Sequence, residues 1–122
     1  MNRYEYLVLT RPVSGTDDEF NRWYDHQHLR DVLAVPGIIS ARRYRVLLSA
    51  QGGGSPPIWQ YVAVYEMECD DPRATLAELK RRAGTDQMPI SATLERPVTA
   101  TFLLEKIADR HGGEADKLAR AP

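Results

Sequence analysis

The pattern of hydrophobic and polar positions predicts a strand and then an amphipathic helix at the start of the chain. Residues 4–9, YEYLVL, are apolar or aromatic over much of both alternating sets of positions, with Glu5 as the exception, which is typical of a strand buried on both faces. A helical pattern follows. Thr16 is its predicted N-cap, and Glu19, three residues later, completes a capping-box pattern. The helix is predicted to run to about Val35, where Pro36-Gly37 ends it.

The rest of the chain continues with strands and a second helix. The predicted elements are a strand over 38–49, a flexible loop over 52–57 (GGGSPP), an alternating strand over 59–68, a helix from Asp71-Pro72 to Gly84, a loop or short helical turn over 85–97, and a strand over 98–107. The order β-α-β-β-α-β is that of the split βαβ, or ferredoxin-like, fold. It predicts an α+β domain with a four-stranded antiparallel sheet and both helices on one face.

The other face of this sheet needs a cover. Several predicted strands are apolar on both sides, and a monomer would leave one such face bare. We therefore expect a homodimer that forms through the sheet face. Residues 1–107 are predicted to form a single domain, and 108–122, charged and with two glycines, a mobile C-terminal tail.

Composition excludes several classes of function. The net charge is −1 and no basic stripe is present, so no nucleic-acid partner is expected. No apolar run approaches the roughly 18 residues of a membrane span, so no membrane association is expected. The single cysteine, Cys69, has no partner for an internal disulfide, which favours a reducing, cytoplasmic location.

A histidine lies within the apolar stripe of the first helix. At about 100° per residue, His28 shares a sector of roughly 120° with Phe20, Tyr24, Val32 and Val35. Asp25 and Asp31, three residues away on either side, lie within side-chain reach of it. We predict that one of them fixes the imidazole tautomer and raises its pKa, so that His28 exchanges a proton near neutral pH. The alternative is a core histidine that only holds the helix to the sheet.

A metal site built from Asp25, His28 and Asp31 is the next alternative, because all three are ligand types. The two histidines of "HQH", His26 and His28, point to different faces of a helix, so no metal is expected. Cys69 ends a strand beside acidic residues, a setting that blunts a thiol nucleophile.

Aromatic residues and one arginine complete the candidate site. Trp23, Tyr6, Trp59 and Tyr61 are predicted to line an apolar pocket or to pack in the core and dimer contacts. Arg42, Arg43 and Arg45 lie in a strand that should be partly buried, so at least one of them needs an anionic partner, and Arg43 is the candidate. That partner is either a carboxylate of the protein or an acidic or enolate ligand.

Residues 19–46, EFNRWYDHQHLRDVLAVPGIISARRYRV, resemble a segment of EthD-like and related dimeric α/β-barrel proteins that reads Asn-x-Trp-Tyr-Asp-x-x-His, then Pro-Gly, then a strand with Arg and Tyr. Many relatives have a proline where this chain has Arg30. The resemblance implies a ferredoxin-like subunit, two of which join sheet to sheet, with a pocket between helices and sheet. His28 matches the motif histidine, and Trp23, Tyr24 and Asp25 match its neighbours.

The superfamily includes polyketide cyclases, isomerases, dehydratases, quinone-forming monooxygenases and haem-degrading enzymes. We expect a cofactor-independent enzyme that acts on a small hydrophobic carbonyl or phenolic compound. His28 would be the general acid/base, Asp25 or Asp31 would orient it, and Tyr24 or Tyr61 would hold the oxyanion. Three alternatives stay open: a non-catalytic binding protein for such a ligand, a haem or quinone-type monooxygenase, and a dimer without any ligand.

Overall fold

A computed structural model describes residues 1–50 and 56–113 of the chain. The elements are β1 (Asn2–Thr10), α1 (Asp17–Trp23), a π-helical turn (Tyr24–His28), α2 (Leu29–Leu33), β2 (Ile38–Arg45), β3 (Tyr61–Cys69), α3 (Pro72–Arg82), a 3-10 turn (Arg96–Val98) and β4 (Ala100–Leu104). The segments from α1 to α2 follow one another without a break and form one helix, residues 17–33.

The four strands form one antiparallel sheet with the order β2-β3-β1-β4. The two central strands are therefore the first and third along the chain, which is the ferredoxin-like arrangement. The predicted α+β fold class is confirmed.

Alternation along β3 explains which face of the sheet carries the core. Tyr61, Ala63, Tyr65 and Met67 are buried, whereas the residues between them are only half-buried. The buried set packs against Phe20, Tyr24, Val32 and Val35 of the first helix and its C-terminal turn, together with Met88. The core thus lies between one face of the sheet and the helices.

The opposite face of the sheet carries a second apolar surface, which we call the open sheet face. In the strand register, Tyr44 lies opposite Val62, and Phe102 lies opposite Leu7. Tyr44 and Phe102 are about half exposed, at 52% and 51%, although both are large and apolar. No element of residues 1–50 and 56–113 covers them.

The first helix begins where predicted but without the capping box. The Thr16 hydroxyl donates to the carbonyl of Val13 at 2.6 Å instead of accepting from the helix, so this detail of the prediction is wrong. The helix ends before Pro36-Gly37 as expected. Gly37 has φ +97°, and an added Cβ there would lie 3.1 Å from Thr75 Oγ1. Only glycine fits this turn without strain.

The second helix, α3, follows the predicted signals. The Asp71 side chain accepts a hydrogen bond from the backbone N–H of Arg73 at 3.0 Å, and Pro72 occupies the first turn. Gly84, with φ +83°, comes just after the helix.

Three predicted boundaries change. β2 ends at Arg45, so residues 46–49 are not part of it; β4 is confined to Ala100–Leu104; and Trp59 precedes β3. The glycine triplet 52–54 and most of the predicted mobile tail, 114–122, lie outside the described residues. Within the described ranges, no helix combines the length and apolar character needed to cross a bilayer.

Candidate active site beside the π-helical turn

The turn that carries the candidate histidine is not α-helical. Leu29 N–H donates to the carbonyl of Tyr24, five residues back, which defines a π-helical turn over Tyr24–His28. In an α-helix, residues five apart are about 140° apart around the axis. A π-helical turn brings them onto the same side, and such turns are frequent at functional sites. The turn therefore gives His28 neighbours that a regular helix would not.

The imidazole of His28 lies between two aromatic rings. It stacks on Trp23 with centroids 4.6 Å apart and an interplanar angle of 27°, and it meets Tyr24 edge-on at 4.8 Å and 82°. Its Nδ1 is buried and has no hydrogen-bond partner within the described part of the chain. Burial, and secondarily the positive charge of Arg43, lower the pKa of His28 from 6.5 to about 4. The imidazole is therefore neutral at physiological pH.

Neither aspartate makes a hydrogen bond or an ion pair with this ring among the described residues, which corrects one prediction. Asp25 instead accepts a hydrogen bond from Arg43 at 2.7 Å, and Asp31 lies 3.9 Å from Arg30. The second carboxylate oxygen of Asp31 is buried and has no partner among the described residues. The expectation that a carboxylate raises the pKa of His28 is wrong, because desolvation and a nearby cation both disfavour the imidazolium.

Arg43 is the hub of the polar contacts in this region. Its guanidinium lies 4.3 Å from the centroid of the Tyr24 ring and donates to Asp25 and, at 2.9 Å, to the side-chain oxygen of Asn21. Asn21 Nδ2 in turn donates to the Tyr61 hydroxyl at 3.1 Å, and Tyr61 donates to Asp17 at 2.9 Å. The carboxylate of Asp25 thus pairs with the positive charge of Arg43. Nε of Arg43 is nevertheless buried and has no hydrogen-bond partner among the described residues.

Two tyrosine hydroxyls meet in the core. Tyr24 and Tyr65 are 3.1 Å apart, oxygen to oxygen. Burial raises the pKa of Tyr24 to about 12 and that of Tyr65 well above its usual value of 10. Both hydroxyls therefore stay protonated, and they are hydrogen-bonded to each other. Tyr24 is the less available of the two predicted oxyanion donors.

An open cleft of about 530 Å³ lies beside this network at the edge of the sheet. It is lined by Asp18, Asn21, Arg22, Asp25, Arg43, Tyr44, Arg45 and Tyr61. Of the predicted site residues, the structure therefore brings Asp25, Arg43 and Tyr61 to the cleft.

The other predicted site residues lie elsewhere. His28, Asp31 and Tyr24 are not among the cleft-lining residues. Tyr6 packs in the core against Tyr65, with ring centroids 6.3 Å apart.

The two tryptophans are anchored away from the cleft lining. Trp23 donates from Nε1 to the carbonyl of Pro89 at 3.3 Å, and Trp59 donates to that of Val98 at 2.6 Å. Sequence reasoning did not give Asn21 a role in binding. Its signal was present, because Asn21 lies four residues before Asp25 on the same helix face and both reach Arg43.

Possible metal ligands do not cluster in the described part of the chain. Within residues 1–50 and 56–113, no group of three or more His, Cys, Asp and Glu side chains is close enough to hold a metal ion.

Comparison with known proteins identifies the fold. No family model matches the chain, and no curated protein matches it. Among solved structures, an EthD-family protein from Bacillus halodurans has a TM-score of 0.51 and 13% identity over 88% of this chain and 100% of its own. A dimeric ferredoxin-like protein from an uncultured marine organism has a TM-score of 0.54 and 12% identity over 90% and 100%.

A third structure, an MhuD mutant with two manganese protoporphyrin IX bound per active site, has a TM-score of 0.58 and 16% identity over 89% and 99%. The chain thus has the ferredoxin-like fold of EthD-family and dimeric ferredoxin-like proteins. At these identities the likeness concerns the fold alone.

Proposed function

We propose that the protein is a homodimeric, cofactor-independent enzyme that acts on a small hydrophobic carbonyl or phenolic compound, with His28 moving a proton next to the carbonyl. One observation carries this proposal. His28 is a neutral imidazole whose buried Nδ1 has no partner in the described part of the chain, and Arg43 has an unpartnered buried Nε close enough to affect the His28 charge. Buried polar atoms without partners are uncommon, and a catalytic role is one of the explanations for them.

A carbonyl substrate that enters from the cleft would reach both of these buried atoms only if the side chains packed around them moved apart, and it would then use both. Its oxygen would accept a hydrogen bond from Arg43 Nε, and its α-carbon would lose a proton to Nδ1 of His28. The electron pair of the broken C–H bond moves to the oxygen, where the guanidinium stabilises the enolate. The same proton then returns to the product. Because His28 is neutral at pH 7, every molecule starts in the proton-accepting form.

The roles of the remaining candidates follow from their contacts. Asp25 is proposed to orient Arg43, which it contacts, and not His28. Tyr61 lines the cleft and is preferred to Tyr24 as a second oxyanion donor. Tyr61 now donates to Asp17, so a substrate oxygen would compete with that carboxylate. Cyclisation, isomerisation and dehydration begin with this enolate step, whereas a decarboxylation would form the enolate by loss of carbon dioxide and would then need a proton delivered to the α-carbon.

The test uses two histidines of the same π-helical turn. His28→Ala is expected to lower kcat/KM on an active carbonyl or phenolic substrate by about 100-fold or more, the usual contribution of a general base. His26→Ala is the matched control, because His26 is exposed, and it should leave turnover unchanged. Full activity of a folded His28→Ala protein would refute the mechanism.

A non-catalytic binding protein is the second candidate. It is favoured by the fact that His28 is not among the residues that line the cleft. Here Arg43→Gln should abolish saturable binding of aromatic ketones, measured by calorimetry, whereas His28→Ala should not change it. Binding without turnover in the unchanged protein would decide for this candidate.

The cleft does not fit haem. Its lining residues include no histidine or cysteine, and the hydroxyl of Tyr61 is bonded to Asp17 and Asn21. Five of its eight lining residues are Asp or Arg, which is a poor surface for a flat apolar ring.

The homodimer is proposed on the open sheet face. One solved structure of the same fold is a dimeric ferredoxin-like protein, and the face here presents large apolar side chains to water. Phe102→Asp should give a monomer in sedimentation measurements. Val13→Asp, in the loop after β1, is the control and should leave the assembly unchanged. A Phe102→Asp protein that sediments like the unchanged chain would place the interface elsewhere.

A further inference from the structure

The contact between Trp23 and His28 depends on the π-helical turn. In an α-helix, His28 would share a face with Tyr24 but not with Trp23, which is five residues back. The π-helical turn lets both rings reach the imidazole, one on its face and one edge-on. This arrangement cannot be read from a helical wheel.

Trp23 is itself held in place. Its Nε1 donates to the carbonyl of Pro89, and its ring meets Phe20 at 6.0 Å and Tyr24 edge-on at 5.3 Å. Because a hydrogen bond and two ring contacts hold the indole, it presents a rigid surface to the imidazole. Trp23 is also absent from the residues lining the cleft, so its predicted role as a substrate contact has no support from the geometry.

We propose that Trp23 is the positioning residue of His28, and that its indole clamps the imidazole against Tyr24 so that Nδ1 points inward and is shielded from water. This inference rests on the proposed function for its catalytic consequence, because a fixed neutral ring is what a proton acceptor needs. The contact between the two rings can be tested without measuring turnover.

The charged and titratable groups around the imidazole are few. Arg43 approaches from β2, Tyr24 contacts the ring from its own turn, and Tyr65 of β3 bonds to Tyr24. Asp25 and Asp31 flank His28 on the helix but make no hydrogen bond to it. Arg43 opposes the imidazolium, and the two phenols remain neutral. Burial of the ring, to which the stacked indole contributes, is thus the larger influence on the pKa of His28.

The indole acts on the charge of the imidazole in two opposite ways. By removing water from one face of the ring, Trp23 disfavours the imidazolium. A stacked indole also attracts a cation, which would favour it. The proposal requires the first effect to be larger, and the two effects predict opposite results when the indole is removed.

The experiment is a titration of the His28 imidazole by NMR in the full-length protein. His28→Ala identifies its signals. The midpoint is expected near pH 4 in the unchanged chain. In Trp23→Leu it should rise by about one pH unit or more as water reaches the ring. Trp23→Phe, which keeps an aromatic face, should restore most of the low midpoint.

Trp59→Leu serves as the matched control for the titration, because Trp59 also donates to a backbone carbonyl but is not among the rings that contact His28. It should leave the midpoint unchanged. An unchanged or lower midpoint in Trp23→Leu, or equal midpoints in the Leu and Phe variants, would overturn the proposal.

Turnover separates the two proposals. If the protein has activity, the acid limb of its pH profile should move upward in Trp23→Leu together with the NMR midpoint. A shifted midpoint combined with full activity of His28→Ala would leave the clamp standing and refute the proposed function. An unchanged midpoint combined with inactive His28→Ala would refute only the clamp.

Discussion

The neutral state of His28 predicts how the stability of the fold depends on pH. The perturbation is a change of pH from 7.5 to 5.0, in the unchanged protein and in His28→Gln. The pKa of His28 is lowered to about 4 in the folded chain, whereas the unfolded chain has the ordinary value near 6.5. The unfolded state therefore binds more protons between these values, and the free energy of unfolding must rise with pH in that window.

The magnitude follows from the two pKa values. Full protonation would cost the fold roughly 3 kcal/mol, and about 2 kcal/mol of this is reached between pH 7.5 and 5.0. The paired carboxylate Glu78 contributes little in this range. Its pKa is lowered to about 2 by Arg81 and Arg82, so its contribution is lost only below its ordinary value of 4.5.

The assay is urea unfolding at a fixed protein concentration, because a dimer makes stability depend on concentration. The unchanged protein and the control His26→Gln should lose about 2 kcal/mol on acidification to pH 5.0. The unfolding free energy of His28→Gln should fall much less over the same change of pH. A carboxylate partner for His28 would give the opposite sign, with stability gained on acidification. Equal pH dependence in His28→Gln and the unchanged chain would refute the reasoning.

Two further predictions concern the core and the turn after the first helix. Tyr24→Phe leaves the buried Tyr65 hydroxyl without its partner and should cost about 1–3 kcal/mol in urea unfolding, whereas Tyr44→Phe, on the open sheet face, should cost much less. Gly37→Ala forces a side chain into positive φ and onto Thr75, and should lower the unfolding free energy by roughly 1–3 kcal/mol. An unchanged free energy of unfolding in Gly37→Ala would contradict this prediction, because it would mean that the turn accepts a side chain without strain.

The fold could be predicted because its signals are local. Alternation along β3, proline and glycine after the first helix, and Asp71-Pro72 before α3 each act within a few residues. Their order along the chain then limits the topology. The boundaries that failed lie where local signals are weakest. Residues 46–49 are apolar enough for a strand, but in the described part of the chain β3 pairs with β2 only as far as Arg45.

The site could be predicted only in part, and one residue explains why. His28 was placed on the inward face by a regular period of about 100° per residue, but its turn is π-helical. Its neighbours therefore differ from those of a helical wheel. The partner of Asp25 is Arg43, 18 residues away on a neighbouring strand, and no helical period contains that contact.

The sequence by itself determined the order of elements, the alternation along β3 and the presence of an ionisable ring in an apolar stripe. These depend on hydrophobic periodicity and turn chemistry, which act over a few residues. Only the tertiary structure decided that the ring is uncharged and that Asp25 serves Arg43. Desolvation and charge pairing depend on side chains from distant parts of the chain, and folding is what brings these side chains together.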